Sequence, residues 1–142
     1  KELDWVVASV HSHFNLSQDD MTKRFQKAIE SGVIHCIGHP LTRYLKERKE
    51  VPVDLDKIFK LCKKHNVCME INGNPHRMDL PDIHCKRAKE LGVTLVISTD
   101  AHQPDNFGYI AYGVDVARRG WLEKNDVLNT KTAKQLQKQL GK

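Results

Sequence analysis

The sequence predicts an α/β fold, a partial (β/α) barrel of four parallel βα units followed by a C-terminal helix. Three observations carry this. Short apolar runs alternate with longer stretches whose apolar residues recur at helical spacing. The alternation repeats four times in the same order, which implies a parallel sheet with right-handed crossovers. Each run ends in histidine, carboxylate or amide residues, and parallel β/α folds gather their sites at the C-terminal ends of the strands.

The first strand is read over Leu3 to Val10, ending in His11-Ser12-His13. Ser17, with Asp20 three residues on, starts a helix in capping-box fashion. Met21, Phe25, Ala28 and Ile29 form its apolar stripe, and Gly32 closes it. Val33 to Gly38 is the second strand and runs into His39-Pro40. The basic stretch LTRYLKERKEVPV reads as a loop with room for a short helix. A second helix spans about Asp54 to His65, with Leu55, Ile58, Phe59 and Cys62 on one stripe and Asn66 at its end. Val67 to Ile71 is the third strand, followed by the loop signal Asn72-Gly73-Asn74-Pro75. Asp79 and Pro81 open a third helix through Ile83, Ala88 and Leu91, stopped by Gly92. Val93 to Ser98 is the fourth strand, Phe107 to Arg119 the fourth helix, and Thr130 the N-cap of a last helix reaching about Leu140 before Gly141.

A length of 142 residues fits one domain able to bury a true core. With 39% apolar and 29% charged residues, the composition is that of an ordinary globular protein. The net charge of +5 permits an acidic partner without requiring one. No apolar run is long enough for a bilayer span and no signal peptide is evident, so no membrane role is expected. A chain that starts at Lys1 and enters a strand almost at once reads as an excised or processed piece. The four cysteines form no CxxC pair, which reads as buried free thiols in a reducing, cytoplasmic compartment.

Asp100 and His102 stand two residues apart after the apolar run from Val93 to Ile97. On an extended chain that spacing puts both side chains on one face. With His11, His39 and the Glu70–Asn74 group at the other strand ends, they suggest a metal site. The plainer alternative is a helix-capping aspartate and core histidines. His65, His76 and His84 read as surface or capping groups, His35 as structural, and His13 as a support or substrate contact. Imidazole and carboxylate suit zinc, manganese or iron. Arg43, Arg77 and Arg118-Arg119 supply guanidinium groups matched to phosphate. Metal and arginine together point to phosphoester hydrolysis.

The segments VASVHSHFNLS, IGHPLTRYL, MEINGNPHRMDL, VISTDAHQPDN and YGVDVARRGWLEKNDVLNT together resemble the polymerase-and-histidinol-phosphatase (PHP) domain. More narrowly, they resemble its C-terminal part in bacterial and archaeal family X DNA polymerases. The resemblance covers essentially the whole chain. It implies part of a distorted barrel of seven β/α units around divalent metal ions, manganese or zinc, or else magnesium or iron. The matching ligands are His11, His39, Asp100 and His102. Arg43, Asn72, Asn74 and Arg77 fall beside the cleft as substrate-binding candidates, with His13 behind the ligands. The implied activity is 3′–5′ exonuclease or 3′-end processing of DNA in repair. The alternatives are a small-molecule phosphatase of the histidinol-phosphatase type and a non-catalytic DNA-binding or scaffold module.

The family's opening His-x-His strand and its metal-bridging glutamate do not match here, although His11-Ser12-His13 imitates the former in letters. A full β/α barrel takes about 250 residues. The expectation is therefore a weakly active or inactive piece. Its partners would be DNA or another phosphoester, the missing N-terminal half of the PHP domain, and a second copy joined through the open barrel edge.

Overall fold

In the computed structural model, which describes residues 3–139, four parallel strands lie in chain order: β1 (Val7–Ala8), β2 (Cys36–Ile37), β3 (Cys68–Asn72) and β4 (Leu95–Ser98). The helices are α1 (Gln18–Glu30), α2 (Leu55–His65), α3 (Asp82–Glu90), α4 (Ile110–Arg119) and α5 (Ala133–Gln139). Strand order never reverses, as in a barrel wall and unlike a doubly wound sheet. The α/β partial-barrel expectation holds.

Strand lengths track position in the sheet. β3 has neighbours on both sides, and all five of its residues are buried. Among the described residues β1 has only β2 beside it, so most of the apolar run from Leu3 to Val10 does not pair, and Val7 is half exposed. An apolar run forms ladder only where a partner strand lies within reach.

The helix ends follow local chemistry. Ser17 Oγ accepts from the Asp20 N–H at 3.1 Å, and Asp54 Oδ1 from the Lys57 N–H at 3.0 Å. Gly32, Asn66 and Gly92 take left-handed conformations after α1, α2 and α3. Four readings are corrected. Ile83 faces outward, and Cys85 and Ala88 make the buried side of α3. A 3-10 turn over Pro104–Tyr109 precedes α4, leaving Phe107 exposed. Thr132, not Thr130, caps α5: its Oγ1 accepts from the Gln135 N–H, while Gln135 Oε1 accepts from the Thr132 N–H. The 41–53 segment forms no helix but a turn bridged between Tyr44 and Arg48. The expected helix end at Leu140 and Gly141 lies outside the described residues.

Alternation along the strands separates two faces. On the helix side, Ile37, Met69, Ile71, Leu95 and Ile97 share one core with Met21, Phe25, Ile58 and Phe59. On the other side Cys36, Cys68 and Val96 pack beneath Leu128, Trp5 and Leu136. Glu70 and Ser98, two residues further along β3 and β4, occupy that second face past its apolar cover. His35, as expected, is structural: it stacks on Trp5 and accepts the Val6 N–H at Nδ1. The four cysteines are buried and free, and burial pushes the Cys62 and Cys85 thiols up to about 12.

The β4 edge is not open. Asn129 exchanges two hydrogen bonds with the Ile97 backbone at 2.8 and 2.9 Å, and Val127 bridges to Leu95, so this segment stands in for a neighbouring strand. Among the described residues no helix is long and apolar enough to cross a membrane.

Candidate active site

The site is organised around a carboxylate that the apolar third strand buries. Glu70 Oε2 accepts the backbone N–H of His39 and, at 3.3 Å, the Asn72 amide; Oε1 accepts the Ser98 hydroxyl. Gly38 instead makes room for the first strand segment, because a Cβ there would sit 2.6 Å from Ser9 Oγ and 2.9 Å from Val7 Cγ1. Glu70 thus ties together the ends of β2, β3 and β4. Burial raises its pKa, and the hydrogen bonds from Ser98, His39 and Asn72 pull it back down. The sequence reading included Glu70 among the strand-end groups without a role. An acidic residue inside the apolar run VCMEI was the signal.

His39, held at φ 28°, is buried, and its ring meets that of His11 edge-on at 5.0 Å. Its Nδ1 is buried without a hydrogen-bond partner. Burial and then the Arg77 cation lower its pKa to about 4, against the opposing pull of Asp100, so the ring is neutral at neutral pH. A neutral imidazole with an unpartnered ring nitrogen, beside a second imidazole, fits a divalent metal ion.

Asp100 and His102 are positioned differently than expected. β4 ends at Ser98 and Asp100 is left-handed at φ 52°, so strand alternation does not align the pair. Asp100 Oδ2 lies 3.3 Å from Arg77 Nε. His102 is exposed, with Nδ1 2.7 Å from the Asp100 carbonyl oxygen. A carbonyl only accepts, so Nδ1 carries the proton and the lone pair is left on Nε2, as in many metal-binding histidines.

Of the expected substrate contacts, Arg77 keeps a donor to spare: its Nη1 is buried and unpartnered. Arg43 spends its donors on Arg77 O at 2.8 Å, on Met78 O, and on Glu50 at 3.2 Å. Asn72 is fully buried, and its Oδ1 accepts the Asn74 N–H; Asn74 Oδ1 accepts the His76 N–H. These groups hold the loop that carries Arg77. His13 is exposed, its Nδ1 3.0 Å from Ser12 Oγ.

Sequence reasoning assigned Asp79 only to a helix start. It is fully buried and accepts the Leu41 N–H at 3.0 and 3.2 Å, fastening the loop after β3 to the loop after β2. Burial raises its pKa to about 7. The geometry therefore brings together His11 with His39, and Arg77 with Asp100. Among the described residues, no three His, Cys, Asp or Glu side chains gather as a metal-ready group.

A parallel β/α wall thus carries imidazoles, carboxylates and an arginine at its strand ends. Over 136 residues, 96% of its length, the chain is 39% identical to the DNA polymerase/3'-5' exonuclease PolX of Bacillus subtilis (strain 168), of which it covers 24%. It is 29% identical over 143 residues to the probable phosphatase Teth514_1060 of Thermoanaerobacter sp. (strain X514), with 94% of the chain and 56% of that protein covered. It is 33% identical over 110 residues to the probable phosphatase PBPRB2022 of Photobacterium profundum, covering 71% of the chain and 42% of that protein. No protein-family model matches. The chain spans about a quarter of the polymerase and about half of the phosphatases it matches. The motif-level resemblance to a PHP fragment of a family X DNA polymerase is thereby borne out.

Proposed function

We propose that this chain contributes the strand-end cleft of a metal-dependent phosphoester hydrolase of the PHP type, acting on the 3′ end of DNA. The observation that carries the reading is the buried, unpartnered Nδ1 of a neutral His39 beside His11, with Arg77 and Asp100 at the same rim. His11, His39, Asp100 and His102 would hold a divalent ion, manganese or zinc. Such an ion supplies an acidified water and neutralises phosphate charge.

The chain's own groups do the remainder. Glu70 fixes the His39 backbone. Arg77 offers its spare Nη1 to a phosphate oxygen while Asp100 keeps its guanidinium in place. With only pairs of ligand-type side chains brought together, the 142-residue chain is expected to bind metal weakly and to turn over slowly. A self-associated form would use the β1 edge, where Val7 is half exposed.

The likeness to probable phosphatases favours a second reading, in which the substrate is a small phosphorylated metabolite. Calorimetric titration with Mn²⁺ tests the site. The expected result is weak binding that disappears in His39→Ala, and equal binding by both chains overturns it. Mn²⁺-dependent release from a single-stranded DNA 3′ end, set against histidinol phosphate, then separates the two substrates. Faster turnover of histidinol phosphate would favour the second reading.

A further inference from the structure

Beside the rim, the 43–50 segment lines a cleft of about 650 Å³, within the size range of small-ligand sites. Its turn is closed by the Tyr44–Arg48 bridge and pinned to the neighbouring loop by the Leu45 N–H donating to His76 O at 2.6 Å. This pinning brings the Tyr44 and His76 rings into a parallel stack, centroids 5.5 Å apart and planes 5° off parallel. Tyr44 is half-buried and His76 exposed, so the stack presents an aromatic ring to solvent. The Arg77 guanidinium carbon lies 5.5 Å from the Tyr44 ring centre, while its Nε reaches Asp100 at 3.3 Å. One arginine therefore touches both the stack and the proposed phosphoester rim. Lys46 and Lys49 stand exposed on the same turn, and Arg48 is fixed over Phe14 at 4.2 Å.

The cleft is lined by four basic residues against Glu47 and Glu50; an exposed ring stack at its margin, with the Arg77 guanidinium beside Tyr44, matches a nucleotide, whose base and phosphate need those two features a short distance apart. A small phosphorylated metabolite without a ring would leave the stack unused. We infer that Tyr44 and His76 form a stacking shelf for the terminal base of a single-stranded nucleic acid, whose terminal phosphoester then lies towards Arg77. The shelf is a specificity element: it favours nucleic acid ends over small phosphoesters. It rests on the proposed phosphoesterase reading for the orientation of the strand, but base binding can be measured without turnover.

The test is fluorescence anisotropy of a short oligothymidine labelled at its 5′ end, compared with the same strand carrying an abasic 3′-terminal residue. Stacking on aromatic side chains predicts that the natural end binds about tenfold tighter to the unmodified chain. In His76→Ala and in Tyr44→Ala that preference disappears, and in Tyr44→Phe it is retained. His76 is exposed, so its variant keeps the test valid if Tyr44→Ala fails to fold. Lys46→Glu with Lys49→Glu weakens both strands equally and lowers the salt dependence. Equal binding of both strands by the unmodified chain, or an undiminished preference in His76→Ala, overturns the shelf. Preserved base preference with Mn²⁺ binding that His39→Ala leaves unchanged would instead overturn the phosphoesterase reading and leave the shelf standing.

Discussion

The loop after β3 and the loop after β4 each bring carboxylates to the rim, and they are built in opposite ways. At the end of β3 and in its loop, Glu70, Asn72 and Asp79 are buried, and each accepts hydrogen bonds from neighbouring backbone or side chains. After β4, Asp100 is partly exposed and held by Arg77, and His102 is exposed with its ring resting on a backbone carbonyl. The first loop is fixed by the fold. The second is fixed by few partners and is free to settle around an ion. A site built this way places its rigid part behind the ligands and its adaptable part among them.

The largest effect expected from this contrast is at Glu70. Glu70→Ala leaves the His39 N–H, the Asn72 amide and the Ser98 hydroxyl without their acceptor in a buried setting. At about 1–3 kcal/mol per stranded donor, with Ser98 able to turn to water, the loss should be about 3–5 kcal/mol in urea denaturation. Glu70→Gln, which keeps an acceptor oxygen, should lose clearly less. If both variants unfold at the unmodified midpoint, the loop after β3 is not the rigid half.

Asp79 sharpens the contrast through pH. Its folded-state pKa of about 7 stands above the ordinary carboxylate value of 3.8 because burial disfavours the charge. The folded protein therefore holds this proton more tightly than the unfolded chain. The resulting stability is complete below about pH 4 and is lost as pH rises to about 7. His39 works with the opposite sign: its pKa is lowered from 6.5 to about 4, so its contribution grows as pH rises through that window. The two slopes oppose each other in the native protein. Subtracting the stability of Asp79→Asn from that of the native chain cancels the His39 part. The difference should fall by about 4 kcal/mol between pH 4 and pH 8. A difference that does not change with pH would mean that Asp79 stays charged in the fold.

The two loops also explain what the sequence could and could not reveal. Strand order, the cap at Ser17 and the stop at Asn66 were legible because they depend on local patterns: an apolar run, a side-chain oxygen before a helix, a left-handed stop. His11 and His39 were legible as neighbours because successive parallel strands end on one side. Strand lengths were not, because pairing depends on where a strand lies in the sheet: β3 keeps five residues and β1 two. Asp100 and His102 were selected by an alternation that the left-handed Asp100 breaks. The work of Asp79 was hidden because its partner, the Leu41 N–H, is 38 residues away, and no spacing rule reaches that far. Asn129 was hidden for the same reason, 32 residues from the Ile97 backbone it pairs with.

His102 gives the smallest expected change in stability and the cleanest test of the adaptable half. The ring is exposed, and its hydrogen bond is to the Asp100 carbonyl, which solvent can replace. His102→Ala should therefore unfold within about 0.5 kcal/mol of the native chain, the range of ordinary surface substitutions. If His102 Nε2 is a ligand, the same variant should bind Mn²⁺ at least about tenfold more weakly, since even groups behind a metal ligand are worth that much. Calorimetric titration and urea denaturation on one preparation give both readings. Lost stability with unchanged affinity would make His102 a structural residue and both loops rigid. Lost affinity with unchanged stability would leave the loop after β4 as the part that adapts to the ion, with the Arg77–Asp100 ion pair tying it to the loop that does not.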